Sequence, residues 1–341
     1  MEKVKWGKTG LSVTRSAFGA LPIQRLSKQD AVRLLNMAYD NGINFYDTAR
    51  AYSDSEEKLG CAFHDKRDDL IIATKTQCKN PQEFWEHLNI SLEKLQTDYI
   101  DIYQFHNIEQ IPLENSPLYE CMLKAKEEGK IRHIGVTCHK LFNARTAMNS
   151  GLYETIQYPL SALSSAEEIG FARECGDKEI GVIAMKALAG GMLKSAAFSM
   201  AYLRAIPQVI PIWGFQFEHE LREVLELEKM PPPLDEAMLE AIAECRGELN
   251  GDFCRGCGYC MPCAVDIKIN WIARMPQLLR RAPYKPFYTP EWKKELAKVE
   301  NCTECGSCME RCPYELKITD LLQKSAEDYK KFGQEHGFDL I

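Results

Sequence analysis

The chain has 341 residues, 45 % hydrophobic and 27 % charged, a balance that suits a soluble globular protein with a sizeable core. Lys plus Arg number 42 against 49 Asp plus Glu, a net charge of −7, which gives no basic footprint for nucleic acid or for an anionic membrane surface. No apolar run approaches the roughly 18 residues of a membrane-spanning helix, and Met1–Gly7 lacks the apolar core of a secretory signal, so a cytoplasmic location is expected.

From about residue 12 to residue 228, short β-branched runs alternate with longer amphipathic stretches. The runs are Val13–Phe18, Ile43–Thr48, Leu70–Lys75, Tyr99–His106, Ile131–Thr137, Thr155–Pro159, Val182–Ala187 and Val209–Trp213. Helical spacing appears between them at Ser27–Asn41, Pro81–Leu95, Ser116–Gly129 and Ser164–Gly176. Such alternation predicts parallel βαβ units. Eight strands with helices between them match an α/β fold of the closed (β/α)8, or TIM, barrel type. The competing open, doubly wound sheet usually carries Gly-x-Gly-x-x-Gly after its first strand, and that fingerprint is absent here.

Met230-Pro231-Pro232-Pro233 cannot continue a helix, and Leu234–Cys245 then reads as one more. Beyond residue 250, cysteines, glycines and short turns replace the periodic segments. The expected organisation is a barrel over residues 1–248, a cysteine-rich domain over 249–320 and a C-terminal tail over 321–341. No internal repeat of fixed long period is evident.

In a barrel of this kind, function sits where strands end and the following loops begin. Three successive runs end on unusual residues. Asn44-Phe45-Tyr46-Asp47-Thr48-Ala49 leads to Tyr52, Leu70-Ile71-Ile72-Ala73-Thr74-Lys75 ends on a lysine, and Asp101-Ile102-Tyr103-Gln104-Phe105-His106 ends on a histidine. Neighbouring strands would bring Asp47, Tyr52, Lys75 and His106 to one rim. A phenol has an ordinary pKa near about 10. An ammonium beside it favours the phenolate, and a carboxylate holds the ammonium in place. Tyr52 could then give a proton to a developing alkoxide, with His106 hydrogen-bonded to the same oxygen. Taken singly, each of these residues is ordinary. The set of four points to proton transfer during carbonyl reduction.

Asp47-Thr48-Ala49-x-x-Tyr52, Ala73-Thr74-Lys75 and Tyr103-Gln104-Phe105-His106 resemble the catalytic tetrad of the aldo/keto reductase superfamily. The likeness runs from residue 3 to about 228 and includes Ile134-Gly135-Val136 and Val209-Ile210-Pro211. It implies a Tyr general acid tuned by Lys and Asp, a His that orients the carbonyl, and a nicotinamide cofactor extended across the rim. By position, Thr137 and Gln157 would contact the carboxamide. The loop Leu188-Ala189-Gly190-Gly191 would lie against the pyrophosphate, where small residues let backbone N–H groups approach an anion. Members that prefer NADP place Lys-Ser and then Arg after the last strand. Here that stretch runs from Gly214 through Gln216, Glu218 and Glu220 to Arg222, so NADP and NAD both stay open. The loops that close the family's substrate pocket are replaced by the cysteine-rich region, and the resemblance does not reach the substrate's identity.

Of 14 cysteines, six are scattered and eight fall in two groups. The first is Cys254-x2-Cys257-x2-Cys260-x2-Cys263, the second Cys302-x2-Cys305-x2-Cys308-x3-Cys312-Pro313. The second matches the bacterial ferredoxin run, in which three thiolates hold one cluster and the fourth serves its neighbour. Exchanging fourth ligands assigns Cys254, Cys257, Cys260 and Cys312 to one [4Fe–4S] cluster. Cys302, Cys305, Cys308 and Cys263 then hold the other. The region resembles a two-cluster ferredoxin module. Structural zinc also uses cysteines two residues apart, but in pairs, with no use for three in a row.

Together the two halves lead to an expected NAD(P)H-linked oxidoreductase that interconverts a small-molecule carbonyl and alcohol. Its clusters would be structural or would exchange electrons with an external partner such as a ferredoxin or flavoprotein. The alternatives are an electron-transfer protein with the barrel as scaffold and a redox-sensing subunit. A scaffold, however, has no need of a lysine and a histidine at adjacent strand ends.

Overall fold

The computed structural model describes residues 1–108, 110–193, 195–249, 253–281 and 284–338. Two compact units are present: Met1–Ala187 with Ser195–Met238, and Leu188–Lys194 with Leu239–Ile341.

The first unit opens with an antiparallel hairpin, β1 (Lys3–Trp6) and β2 (Leu11–Thr14). Eight parallel strands follow: β3 (Ala17–Gly19), β4 (Phe45–Asp47), β5 (Ile71–Thr76), β6 (Ile100–His106), β7 (Ile131–Thr137), β8 (Thr155–Pro159), β9 (Gly181–Met185) and β10 (Val209–Gly214). They close into a barrel, with β10 paired to β3. Between and after them run α1 (Lys28–Asp40), α2 (Ser55–Phe63), α3 (Pro81–Leu95), α4 (Pro117–Glu127), α5 (Leu141–Ser150), α6 (Ala166–Asp177), α7 (Ala196–Arg204) and α8 (Glu218–Lys229). Helix starts follow local chemistry. Asn80 accepts from Glu83 N ahead of Pro81 at the start of α3, and Ser165 with Glu168 forms a capping box on α6.

One expected strand divides. The run Val13–Phe18 splits between β2 and β3: Arg15 N donates to Glu2 O (3.1 Å), carrying the hairpin pairing one step past Lys3 and Thr14, and Thr14 Oγ1 donates to Ser16 O (2.8 Å) at the bend that follows. The hairpin lies against the strands' N-terminal ends. Trp6 is fully buried, its Nε1 donates to Gln208 O just before β10 (2.7 Å), and a Cβ on Gly181 would stand 2.6 Å from the indole. With Val13, Phe45, Ile71, Ile102, Ile183 and Ile210 it forms an apolar floor. The strands' C-terminal ends are left for the polar residues.

The second unit takes α9 (Glu236–Leu249) from Leu239 onward, then α10 (Ile269–Ile272), α11 (Met275–Arg281), α12 (Pro290–Ala297), α13 (Ser307–Glu310) and α14 (Ile318–Glu335). The position 248, expected as a boundary, falls inside α9. The expected tail over 321–341 is for the most part α14. This helix buries Ile318, Leu322, Ser325, Tyr329 and Phe332, spacings of three and four that put one face into the core.

A short repeat, not expected from the sequence, also emerges within this unit. Cys254-x2-Cys257-x2-Cys260 recurs 48 residues later. Gly258 and Gly306 both take positive φ (+83° and +78°), as do Asp266 and Glu315 (+57° and +52°). Each acidic residue is followed by an apolar residue, a Lys and an Ile that begins a helix, α10 in one half and α14 in the other. Among the described residues, no helix is long and apolar enough to cross a membrane.

Candidate functional site

Parallel register turns distance along the chain into proximity. Asp47 pairs with Ala73, Lys75 with Gln104, His106 with Thr137, and Thr137 with Gln157. Lys75 is fully buried, and its Nζ donates to Asp47 Oδ2 at 2.7 Å and to Thr48 O at 2.6 Å. Burial pushes the Lys75 ammonium down and the Asp47 carboxyl up, and the ion pair opposes both shifts. Removing one member of such a pair strands the other charge at about 3–5 kcal/mol.

Tyr52 stands half-buried on the turn after β4, its ring centroid 5.3 Å from Lys75 Nζ. The His106 ring lies 5.8 Å away, edge-on at 85°. The turn is pinned at several points: Tyr52 N donates to Ala49 O (3.0 Å), Ser55 N to Tyr52 O (2.8 Å) and Arg50 N to Lys75 O (3.0 Å). Burial, aided by the Lys75 charge, pulls His106 down to about 3, so the imidazole is neutral. Its Nδ1 is buried and has no hydrogen-bond partner among the described residues. An orphaned polar atom at a barrel mouth is suited to a bound molecule.

Three more residues belong to this cluster. Gln104, two positions before His106 on β6, donates to Gln157 Oε1 at 3.0 Å and approaches Asp47 at 3.4 Å. Thr137 Oγ1 lies 3.4 Å from the amide oxygens of both Gln104 and Gln157. Glu56 is a second buried carboxylate, ion-paired with Arg50 and accepting from Thr74 Oγ1 at 2.7 Å. His139, past the end of β7, is also kept neutral, by burial and then by the Lys186 charge. The sequence reading assigned no part to Gln104, Glu56 or His139.

Asp47, Tyr52, Lys75, His106, Thr137 and Gln157 thus share one rim. Gly214 ends β10 in the same unit, and the start of α8 is already engaged with its own acids. Gln216 N donates to Glu220 Oε2 (2.7 Å), and Arg222 Nε donates to Glu218 Oε1 (2.9 Å). Leu188, Gly190 and Gly191 group with the second unit instead. Leu188 O accepts from Gly191 N (2.9 Å), with Gly190 and Gly191 at φ +71° and +91°.

In the second unit a cavity of about 470 Å³ is lined by Cys263, Cys302, Cys305 and Cys308, together with Val265, Ile267 and Ile269. The other four thiols form a separate group. Burial pushes Cys260 up to about 12, and Cys254, Cys257 and Cys312 each add to that rise. Cys254, Cys260, Cys308 and Cys312 belong to the apolar core itself. No three His, Cys, Asp or Glu side chains among the described residues converge tightly enough for a single metal ion. Two all-thiolate sets, one around a cavity, are a donor arrangement that fits iron–sulfur clusters.

A closed parallel barrel with charged groups at its strand C-termini, in one chain with a cysteine-rich unit, is the architecture of a barrel oxidoreductase carrying an iron–sulfur module. Residues 16–209 match the aldo/keto reductase family and residues 253–317 a 4Fe-4S dicluster domain. The chain belongs to the aldo/keto reductase family. It is 32 % identical over 213 residues to aldo-keto reductase YhdN of Bacillus subtilis, covering 57 % of this chain and 64 % of that relative, less than two thirds of its length. The NADH-specific methylglyoxal reductase of Escherichia coli is 28 % identical over 265 residues, 68 % of this chain and 80 % of that protein. Among solved structures, an aldo-keto reductase from Bacillus halodurans in its holo form shares the fold, with TM-score 0.64 and 22 % identity over 72 % of this chain and 96 % of that one.

Proposed function

We propose that the barrel catalyses NAD(P)H-dependent interconversion of a small-molecule carbonyl and alcohol, with Tyr52 as the general acid/base. One observation carries this reading: the buried Asp47–Lys75 ion pair beneath the Tyr52 ring, flanked by a neutral His106. When bound, reduced nicotinamide supplies a hydride to the carbonyl carbon. Tyr52 gives its phenolic proton to the carbonyl oxygen, and the Lys75 ammonium stabilises the phenolate left behind. Asp47 and Thr48 O each take one N–H of Lys75, which leaves the third for the phenol oxygen. A His106 pulled down to about 3 has no proton to give near pH 7, so its part is to hydrogen-bond the substrate oxygen. Thr137 and Gln157 hold the carboxamide, residues 188–191 the pyrophosphate, and Gly214, Gln216 and Arg222 the adenosine end.

The acids at the start of α8 favour NADH. Glu220 accepts from the N–H groups of Gln216 and Phe217, and Glu218 is paired with Arg222. A 2′-phosphate would have to displace one carboxylate while facing the other. The similarity to an NADH-specific reductase supports the same choice. Two [4Fe–4S] clusters, ligated by Cys254, Cys257, Cys260 and Cys312 and by Cys263, Cys302, Cys305 and Cys308, stabilise the second unit or exchange electrons with an external ferredoxin or flavoprotein.

The test is Tyr52→Phe in protein purified without oxygen. We expect turnover of an aldehyde with NADH to fall about 10³-fold, while iron content and NADH affinity stay within about twofold. Full activity in this variant would remove Tyr52 from the mechanism.

A further inference from the structure

Arg255 lies between two of the cysteines assigned to the first cluster, Cys254 and Cys257. Its carbonyl is met by an unexpected neighbour, Gly190. A Cβ on Gly190, which sits at φ +71°, would stand 2.5 Å from Arg255 O, so only glycine allows this approach. Arg274 Nη1 donates to Gly190 O at 2.7 Å. The same Nη1 covers Gly256, where a Cβ would come within 2.6 Å of it. The guanidinium rests 4.9 Å from the Trp271 ring, which fixes its plane. Gly256 N in turn donates to Cys254 Sγ at 3.4 Å. All of these residues lie within the second unit.

We infer that Arg274 is a positioning residue that couples residues 188–191 to the first cluster, so that binding of a nicotinamide dinucleotide and reduction of that cluster oppose one another. The inference rests on the proposed reading of residues 188–191 as the pyrophosphate loop. N–H···S bonds and nearby fixed charge set the potential of a cluster, and a guanidinium remains cationic at every working pH. A pyrophosphate on the loop places negative charge beside Arg274. That anion offsets the cation's stabilisation of the reduced, more negative cluster, and the potential falls. By linkage, reduction must weaken dinucleotide binding by the same factor.

The probe is ADP-ribose, which carries the pyrophosphate but no reactive nicotinamide. Cluster potentials are measured in the holoprotein by spectroscopic redox titration, with and without ADP-ribose, and its Kd is measured in the oxidised and reduced states. In the wild type one of the two potentials should move negative, and Kd should rise about tenfold on reduction, equivalent to about 59 mV for a one-electron couple. Arg274→Gln should abolish the shift at full iron content, and Arg274→Lys should keep part of it by keeping the charge. If Arg274→Gln fails to load iron, Gly190→Ala supplies the reading at ADP-ribose concentrations that saturate the variant by direct titration, because its Cβ forces the loop off Arg255 and the shift should vanish with the ligand bound. An unchanged potential with ADP-ribose bound, or a full shift in Arg274→Gln or Gly190→Ala, overturns the coupling and leaves the coenzyme reading standing. Absence of ADP-ribose and NADH binding in the wild type overturns the coenzyme reading itself.

Discussion

The barrel and the cysteine-rich unit build their sites in opposite ways. At the barrel rim, Asp47, Lys75, His106, Thr137 and Gln157 lie on five successive strands, between the middle and the C-terminal end of each, and ladder register places them. The apolar floor lies at the other end and shares no residue with them. In the second unit the cysteines proposed as ligands are neighbours in sequence, among turns with positive φ, and four of the eight thiols are core residues. A barrel site is therefore rigid before anything binds, whereas a site whose ligands are also its core gains cohesion from the group it holds.

The largest expected effect sharpens this contrast by testing which thiols belong together. With exchanged fourth ligands, Cys263 and Cys302 serve one cluster. Cys263→Ala with Cys302→Ala should then lower iron from about eight to about four per chain. Cys254→Ala with Cys263→Ala should remove nearly all of it. Without the exchange the two outcomes trade places, so iron and sulfide analysis of both double variants decides. The barrel's circular dichroism should survive in each.

The two regions also differ in how far the sequence alone reveals them. Pro81–Leu95 is readable with both of its ends, because Asn80-Pro81 starts a helix by a local rule. The four rim residues stand out because charge at the end of a β-branched run is costly and needs a reason. Gln104 does not stand out, since one amide inside Ile100–His106 looks like a lapse in an apolar run. Glu56 is hidden differently. Next to Glu57 it reads as an ordinary acid in the first turn of a helix, and only tertiary structure sets it against Arg50 and Thr74. In the second unit cysteine spacing is plain, and α14 does carry apolar residues at spacings of three and four, but which core that face joins depends on partners far along the chain. The cover of Arg274 over Gly256 has no sequence signal at all.

An intermediate effect follows from keeping the floor separate from the rim. Trp6 is fully buried beneath the strands, and Trp6→Ala should cost about 3–5 kcal/mol through the cavity it leaves. For a unit of this size that corresponds to roughly 10 °C in Tm. Calorimetry should show the loss in the barrel transition alone, with iron content unchanged. A matching loss of iron would mean that the two regions are not energetically separate.

The smallest effect separates structural from functional carboxylates within the barrel. Asp47 is pushed up by burial, whereas Glu154 is held at about 2. Burial alone would raise Glu154 as well, but His133, Lys126 and Ile134 N all lie at hydrogen-bonding distance from its carboxylate, at 2.7, 2.7 and 3.0 Å. A folded value below the unfolded one means that the carboxylate stabilises the fold above its ordinary range near about 4.3, and that this contribution fades as pH falls toward about 2. Glu154→Gln should cost about 1.5 kcal/mol at pH 7, read from urea unfolding followed by barrel tryptophan fluorescence. The gap between variant and wild type should narrow at pH 4. A gap that widens on acidification would mean that the donors around Glu154 do not favour its charged form, and that this carboxylate, like Asp47, is held against its own stability.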